Sequence, residues 1–194
     1  IFLFISFVVI IISLYVYAYL SPKLDLKTSG SLYLYDNQNG LIYQGSRSNE
    51  WANLEDISQY LIDAVVAVED KNFYNHHGFD YPRIAKAMLT NIKKKAIVQG
   101  ASTISQQYIK NLYLDFDKTW ERKIEEAFLT LELEVHYNKD EILELYLNTS
   151  YFGNGFYSVK SASLGYFNKL PKDMNDSESI MLACLLYTSP SPRD

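Results

Sequence analysis

Glu69-Asp70-Lys71-Asn72-Phe73-Tyr74-Asn75-His76-His77-Gly78-Phe79-Asp80 is the stretch that decides how the rest of the chain is read. It follows Ile57, Leu61, Ala64, Val65 and Val68, an apolar stripe at helical spacing. One helix therefore ends by delivering two acids into an aromatic turn. A carboxylate held there and partly desolvated suits general-base work. The plainer alternative is a solvated Glu69 that caps or pairs locally.

Working outward toward the C-terminus, a helix starts near Tyr81-Pro82, where Pro fits a first turn, and carries Ile84, Ala87, Met88 and Ile92. Gly100-Ala101-Ser102-Thr103-Ile104-Ser105-Gln106-Gln107-Tyr108-Ile109-Lys110-Asn111 then reads as a glycine-led helix start, capped by Ser102 or Thr103. Free backbone N–H groups followed by Ser, Thr, Gln and Lys suit anionic and sugar ligands. Taken alone, the segment is as well explained by an ordinary cap with a polar outer face. The G-x-x-x-x-G-K spacing of a phosphate-cradling loop is absent.

A helix over residues 120–136 places Ile124, Ala127, Phe128, Leu131 and Val135 on one face. Glu126 lies off that stripe, on the side of Leu129 and Leu133, close to Lys118, Arg122 and Lys123. A lone acid on a half-apolar side is more informative than one in a polar run, although Glu within a turn of Lys and Arg is usually a surface ion pair. Asn138 with Glu141 predicts a capping box for a helix through Asn148, Lys139-Asp140-Glu141-Ile142-Leu143-Glu144-Leu145-Tyr146-Leu147-Asn148, which by itself reads as structural.

Toward the N-terminus, residues 1–20 (IFLFISFVVIIISLYVYAYL) contain no charge. At about 1.5 Å per residue they span roughly 30 Å, a bilayer's hydrocarbon thickness, and predict an uncleaved transmembrane anchor. Tyr15, Tyr17 and Tyr19 cluster at its far end as an interfacial belt would, and Ser21-Pro22 ends the helix. SLYLY at 31–35 and LIY at 41–43 flank an Asn/Asp/Gly turn and predict a small β-hairpin. The expected organisation is an anchor (1–20), a connector with the hairpin (21–50), a mainly α domain (51–183) and an atypical tail (184–194).

Composition narrows the function. The 194 residues are 48% hydrophobic and 21% charged, as expected of a folded domain. A net charge of −5 argues against a nucleic-acid partner, which needs a basic surface. The single cysteine, Cys184, excludes an internal disulfide or a multi-cysteine metal site. Adjacent histidines such as His76-His77 rarely chelate one ion. His136 near a helix end reads as a dipole contact.

Taken together and in order, the blocks resemble glycosyltransferase family 51, the peptidoglycan glycosyltransferases of class A penicillin-binding proteins and their monofunctional relatives. The matching patterns are E-D-x-x-F-Y-x-H-x-G-x-D, G-x-S-T-I-x-Q-Q-x-x-K-N, R-K-x-x-E and K-x-x-I-L-E-x-Y-L-N, with a looser fifth block from Tyr151-Phe152-Gly153 to Tyr166-Phe167. The resemblance covers about residues 30–183. It implies a lysozyme-like, bilobal fold with a mostly α head and a small hydrophobic jaw at the membrane surface.

It also implies that Glu69 is the catalytic base and Glu126 the second carboxylate. Asp70, Ser102, Thr103, Gln106, Gln107, Lys110, Asn111, Lys118, Arg122 and Lys123 would line the substrate site. Lys118 stands where relatives often have Arg, which keeps the charge and gives up a planar bidentate fork. The implied substrates are lipid II and the growing glycan strand, joined with inversion and release of undecaprenyl pyrophosphate. A divalent cation (Mg or Mn) at the pyrophosphate would be the one added group. Membrane lipid and the cell-wall synthesis machinery would be the partners, on the outer face of a bacterial cytoplasmic membrane.

Two rivals remain open from sequence: a lytic glycosidase on a similar fold, and a non-catalytic glycan-binding module. The hairpin resembles the start of the bifunctional class A proteins. After Leu182-Ala183 the family continues with Gly-Leu-Pro, whereas this chain has Cys184-Leu185-Leu186-Tyr187-Thr188-Ser189-Pro190-Ser191-Pro192-Arg193-Asp194, expected to be a truncation scar or foreign sequence.

Overall fold

A computed structural model describes residues 2–24, 33–35, 41–44, 51–96, 100–113 and 119–188. The chain is mainly helical. Helix α1 (Phe2–Leu20) precedes two short strands, β1 (Tyr33–Tyr35) and β2 (Leu41–Gln44), which pair antiparallel with Leu34 opposite Tyr43. The turn expected at 36–40 lies outside the described residues. Helices α2 (Gln59–Glu69), α3 (Tyr81–Lys94), α4 (Ile104–Tyr113), α5 (Trp120–His136), α6 (Lys139–Thr149), α7 (Val159–Phe167) and α8 (Asp176–Thr188) follow.

Helix α4 is central: it packs on both α5 and α6, while α2 lies against α8 and α1 against α5. Leu61, Val65, Phe73, Ile104, Tyr108, Ile109, Leu133, Ile142, Leu143 and Leu147 have no exposed surface and form the core around it. Each side chain so buried contributes about 1.5–3 kcal/mol.

Local chemistry sets the helix ends. Asp80 caps α3 by accepting from the Arg83 N–H at 3.0 Å, with Pro82 in the first turn. Asn138 and Glu141 form the expected capping box of α6. Asn148 imitates a strand partner, accepting from the Ala52 N–H at 2.9 Å and donating to the Ala52 carbonyl at 2.7 Å. Glu144 accepts from the Leu54 N–H at 2.7 Å and from Trp51 Nε1 at 3.1 Å. The fourth of the sequence blocks thus ties the 51–54 segment to α6.

Three expectations about faces need correction. Ile62, not Val68, completes the buried stripe of α2, because Val68 sits on the outer side in the last turn. On α3, Met88 and Ile92 are exposed and only Ala87 is buried. On α5 the core side is Glu126, Thr130 and Leu133, whereas Ile124 is exposed and Phe128 is half-buried. The α5 stripe faces α1 instead, and with Leu14, Tyr15, Phe79 and Tyr81 it lines a cavity of about 250 Å³.

The C-terminal end of α1 is held at the α5–α6 corner. The Tyr17 and Phe128 rings lie 5.3 Å apart, His136 Nε2 donates to the Ala18 carbonyl at 3.0 Å, and Tyr137 donates to the Leu24 carbonyl at 2.7 Å. Among the described residues no helix is long and apolar enough to cross a membrane. Helix α8 runs through Cys184 to Thr188, and residues 189–194 lie outside the described residues.

Candidate active site

The two carboxylates singled out in the sequence are both buried, Glu69 at 7% and Glu126 at 2% exposure. Consecutive residues of α4 reach them. Gln107 Nε2 donates to Glu69 Oε2 at 2.8 Å, and Gln106 Nε2 donates to Glu126 Oε1 at 3.1 Å. One turn of α4 therefore holds an acid from the end of α2 and an acid from the middle of α5.

Their remaining partners differ. Glu126 also pairs with the ammonium of Lys123 one turn back on α5. Glu69 accepts from the neutral amide of Gln107, and its buried Oε1 has no hydrogen-bond partner among the described residues.

The start of α4 is fixed from below. Asp70, fully buried, accepts from the Ile104 N–H at 3.1 Å and from His76 Nε2 at 3.0 Å, with Arg83 Nη1 at 3.7 Å. Arg83 also donates to the Glu69 carbonyl. Thr103 caps the helix: its hydroxyl accepts from the Gln106 N–H at 3.3 Å, and Gln106 Oε1 accepts from the Thr103 N–H at 3.2 Å.

The Thr103 hydroxyl donates to the Gly78 carbonyl at 2.7 Å. Gly78 has φ +83°, and a Cβ there would lie 3.0 Å from Thr130 Cγ2, so glycine lets the 76–80 turn close on α5. Ser105, also buried, reaches Glu134, which holds Lys139 at 2.7 Å. These contacts join α2, α4 and α5 into one rigid floor.

Of the other residues expected at the substrate, Ser102 is exposed just before the helix start, while Lys110 and Asn111 are half-buried on the next turn of the Gln106–Gln107 face. Arg122 is half-buried and its N–H is capped by Thr119 at 3.2 Å, while Lys123 is exposed beyond its ammonium contact with Glu126. Lys118 lies outside the described residues. The structure thus brings together Glu69, Gln106, Gln107, Glu126 and Lys123. It turns Asp70 and Thr103 inward, onto partners within the protein.

A divalent cation near Glu126 would meet one carboxylate that already holds an ammonium, and among the described residues no three His, Cys, Asp or Glu side chains are grouped to bind a metal. The donor set does not fit a protein-built cation site. His76 turns inward to Asp70 while His77 is exposed, so the histidine pair does not converge.

A family model described as Transglycosylase matches residues 37–193. The chain belongs to the transglycosylase family. It is 48% identical over 163 residues to "Penicillin-binding protein 2D" of Bacillus subtilis (strain 168), covering 84% of this chain and 24% of that protein. It is 47% identical over 137 residues to "Biosynthetic peptidoglycan transglycosylase" of Mannheimia succiniciproducens, covering 71% of this chain and 56% of that protein. "Penicillin-binding protein 1F" of Bacillus subtilis (strain 168) is 42% identical over 140 residues, or 72% of this chain and 20% of its own length. The chain thus spans between a fifth and somewhat over half of these relatives.

Two residues of this transglycosylase floor escape a reading of sequence. Arg83 carries a signal in retrospect: a cation in the first turn of a helix opposes the helix dipole and so calls for a nearby anion or carbonyl. Tyr146, fully inside and donating to Gln107 Oε1 at 3.1 Å, carries none, because an apolar-looking residue in a well-capped helix reads as core.

Proposed function

We propose that this chain is the glycosyltransferase unit of a peptidoglycan synthase that polymerises lipid II. Membership of the transglycosylase family supports the reaction class. The observation that carries the mechanism is the unequal surroundings of the two buried acids. A carboxylate paired with an ammonium is engaged within the protein, whereas one held by an amide through a single oxygen keeps its other oxygen for a substrate hydroxyl. Glu69 has the amide, and Glu126 has the ammonium.

In this reading the acceptor sugar's 4-hydroxyl gives its proton to Glu69 Oε1 as its oxygen bonds to the anomeric carbon of the lipid-linked strand. The bond from that carbon to the diphosphate breaks, and the diphosphate leaves with the electron pair. Attack opposite the leaving group inverts the centre, so one base on the attacking side suffices, as in inverting glycoside chemistry. Diphosphate needs charge neutralisation more than a proton. Lys123, oriented by Glu126, supplies it together with Lys110, Arg122 and Lys118. Ser102, Gln106, Gln107 and Asn111 line the donor sugar and diphosphate. Asp70 and Thr103 act indirectly, by fixing the start of α4.

Three further parts belong to the same proposal. The uncharged α1 is a single-pass anchor that keeps the 51–183 domain on the outer face of the cytoplasmic membrane, where a tether raises the local concentration of a lipid-borne substrate. The fold is bilobal and lysozyme-like, with α3 as the jaw that meets the membrane: Tyr81, Met88, Leu89 and Ile92 are exposed and Lys93 and Lys94 close the helix. The lipid, the glycan strand and the cell-wall machinery are its partners.

The decisive experiment replaces Glu69 by Gln in the full-length protein and follows glycan chains formed from labelled lipid II. Turnover drops by about 10²–10⁴, the usual worth of a general base, while the fold persists. Near-wild-type polymerisation by that variant removes Glu69 from the mechanism. Shortening of preformed glycan, with no chain growth, indicates a lytic enzyme.

A further inference from the structure

We infer that Tyr146 is a positioning residue for this reaction: its hydroxyl pins the amide of Gln107, and the pinned amide decides which oxygen of Glu69 takes the proton. The inference rests on the proposed role of Glu69.

Tyr146 comes from α6, is 2% exposed, and donates to Gln107 Oε1 at 3.1 Å. The other end of the same amide, Nε2, faces Glu69 Oε2 at 2.8 Å. A glutamine amide has one donating and one accepting end, so fixing one end fixes the other. With Oε2 committed to Gln107, Oε1 is the oxygen that remains, buried and without a partner among the described residues.

While Glu69 is ionised, its own charge would orient the amide. The hydroxyl matters in the other half of the cycle, after Glu69 has taken a proton. A neutral carboxylic acid can donate as well as accept. If the amide turned over, the acid could donate to Gln107 Oε1 and rest there, off the reaction path. That flip would swing Nε2 onto the Tyr146 oxygen and leave a buried O–H in need of another acceptor, which costs about 1–3 kcal/mol. Burial, helped by the charge of Glu69, pushes the Tyr146 hydroxyl above its ordinary range, so it stays a donor at every working pH. Tyr146 thus keeps the new proton on Oε1, where it can be lost again.

The test is a double-mutant cycle on lipid II polymerisation by the full-length protein, with Tyr146→Phe and Gln107→Ala made singly and together. Phe keeps the ring in the core and deletes the hydroxyl alone. Tyr146→Phe lowers kcat about 10- to 100-fold, as misplacement of a reacting group does, and leaves KM within about twofold. In the Gln107→Ala background it has no further effect.

Three outcomes overturn the inference while leaving the proposed function intact. They are wild-type kcat in Tyr146→Phe, an equal loss in both backgrounds, and a loss that falls on KM alone. Should Tyr146→Phe unfold at the assay temperature, Gln107→Met, which removes the amide and keeps Tyr146, must show the same kcat loss; wild-type kcat there also overturns it. A Glu69→Gln variant that polymerises normally overturns the function instead.

Discussion

Replacing Asp70 by Asn separates a positioning role from a substrate role. The side chain is fully buried, and its two oxygens serve the Ile104 N–H at 3.1 Å, His76 Nε2 at 3.0 Å and the Arg83 guanidinium at 3.7 Å. Removing one partner from a buried ion pair costs about 3–5 kcal/mol. Asn keeps one acceptor for the Ile104 N–H, which recovers part of that. It loses the charge, however, and turns an N–H₂ toward two other donors, so about 2–4 kcal/mol is expected. For a chain of this size each kcal/mol lowers the midpoint by about 2–4 °C, so the loss is on the order of 10 °C. Thermal unfolding followed by circular dichroism reads it directly. Lipid II polymerisation, measured well below the new midpoint, should fall moderately because the start of α4 loosens and Gln106 and Gln107 drift from their acids. A midpoint within about 2 °C of wild type together with abolished turnover would refute this reasoning, since it would mean that Asp70 meets the substrate.

Other expectations follow from single contacts. Asp80→Ala deletes the α3 cap and costs about 1–2 kcal/mol at pH 7. The hydrogen bond from the Arg83 N–H holds the Asp80 carboxyl below the usual carboxylate range. Its contribution is therefore complete above the unfolded value of about 3.9 and fades as pH falls through the lower folded value, so unfolding curves of variant and wild type converge in acid. Lys123→Met takes the ammonium from Glu126 and, if that ammonium neutralises the leaving diphosphate, lowers kcat at least tenfold, with Lys123→Arg recovering part of it. Charge on the exposed side of α3, as in Met88→Glu with Ile92→Glu, leaves the unfolding midpoint within about 2 °C and reduces co-sedimentation with lipid vesicles.

What the sequence could disclose was local. The capping box at Asn138 and Glu141, the span of α5 and the turn of chain after Glu69 all depend on residues within one or two turns of each other, so periodicity and cap chemistry reach them. That Glu126 lies off the Ile124–Phe128 stripe, on the side of Leu129 and Leu133, was legible from helical spacing; that this side faces the core, with Leu133 fully buried, was not. Which apolar stripe meets the core was not legible. Ile124 and Phe128 make a convincing inner face until α1 is seen to lie against them, and no window of sequence carries that contact. Asp70 shows the same limit from the polar side. An acid beside the presumed base reads as a ligand for substrate, and only its distance from Ile104, 34 residues on, shows it facing inward.

The pairing of acids with glutamines sharpens that point into an argument about design. Glu69 meets its amide 38 residues downstream, and Glu126 meets its own 20 residues upstream, yet the two amides are neighbours in the chain. Successive side chains of a helix point about 100° apart, so one helix turn placed between two others can address both at once. That arrangement ties the separation of the acids to the α4 backbone through two adjacent amides. It also explains why the start of α4 carries so many anchors. Asp70, Thr103 and the Gly78 carbonyl each remove a freedom at residues 103–106, and an error there would move both acids together. Substitutions at these anchors should therefore lower turnover through the spacing of Glu69 and Glu126, with little effect on how tightly a substrate fragment binds. A binding loss without a turnover loss at Thr103→Val would contradict that division of labour.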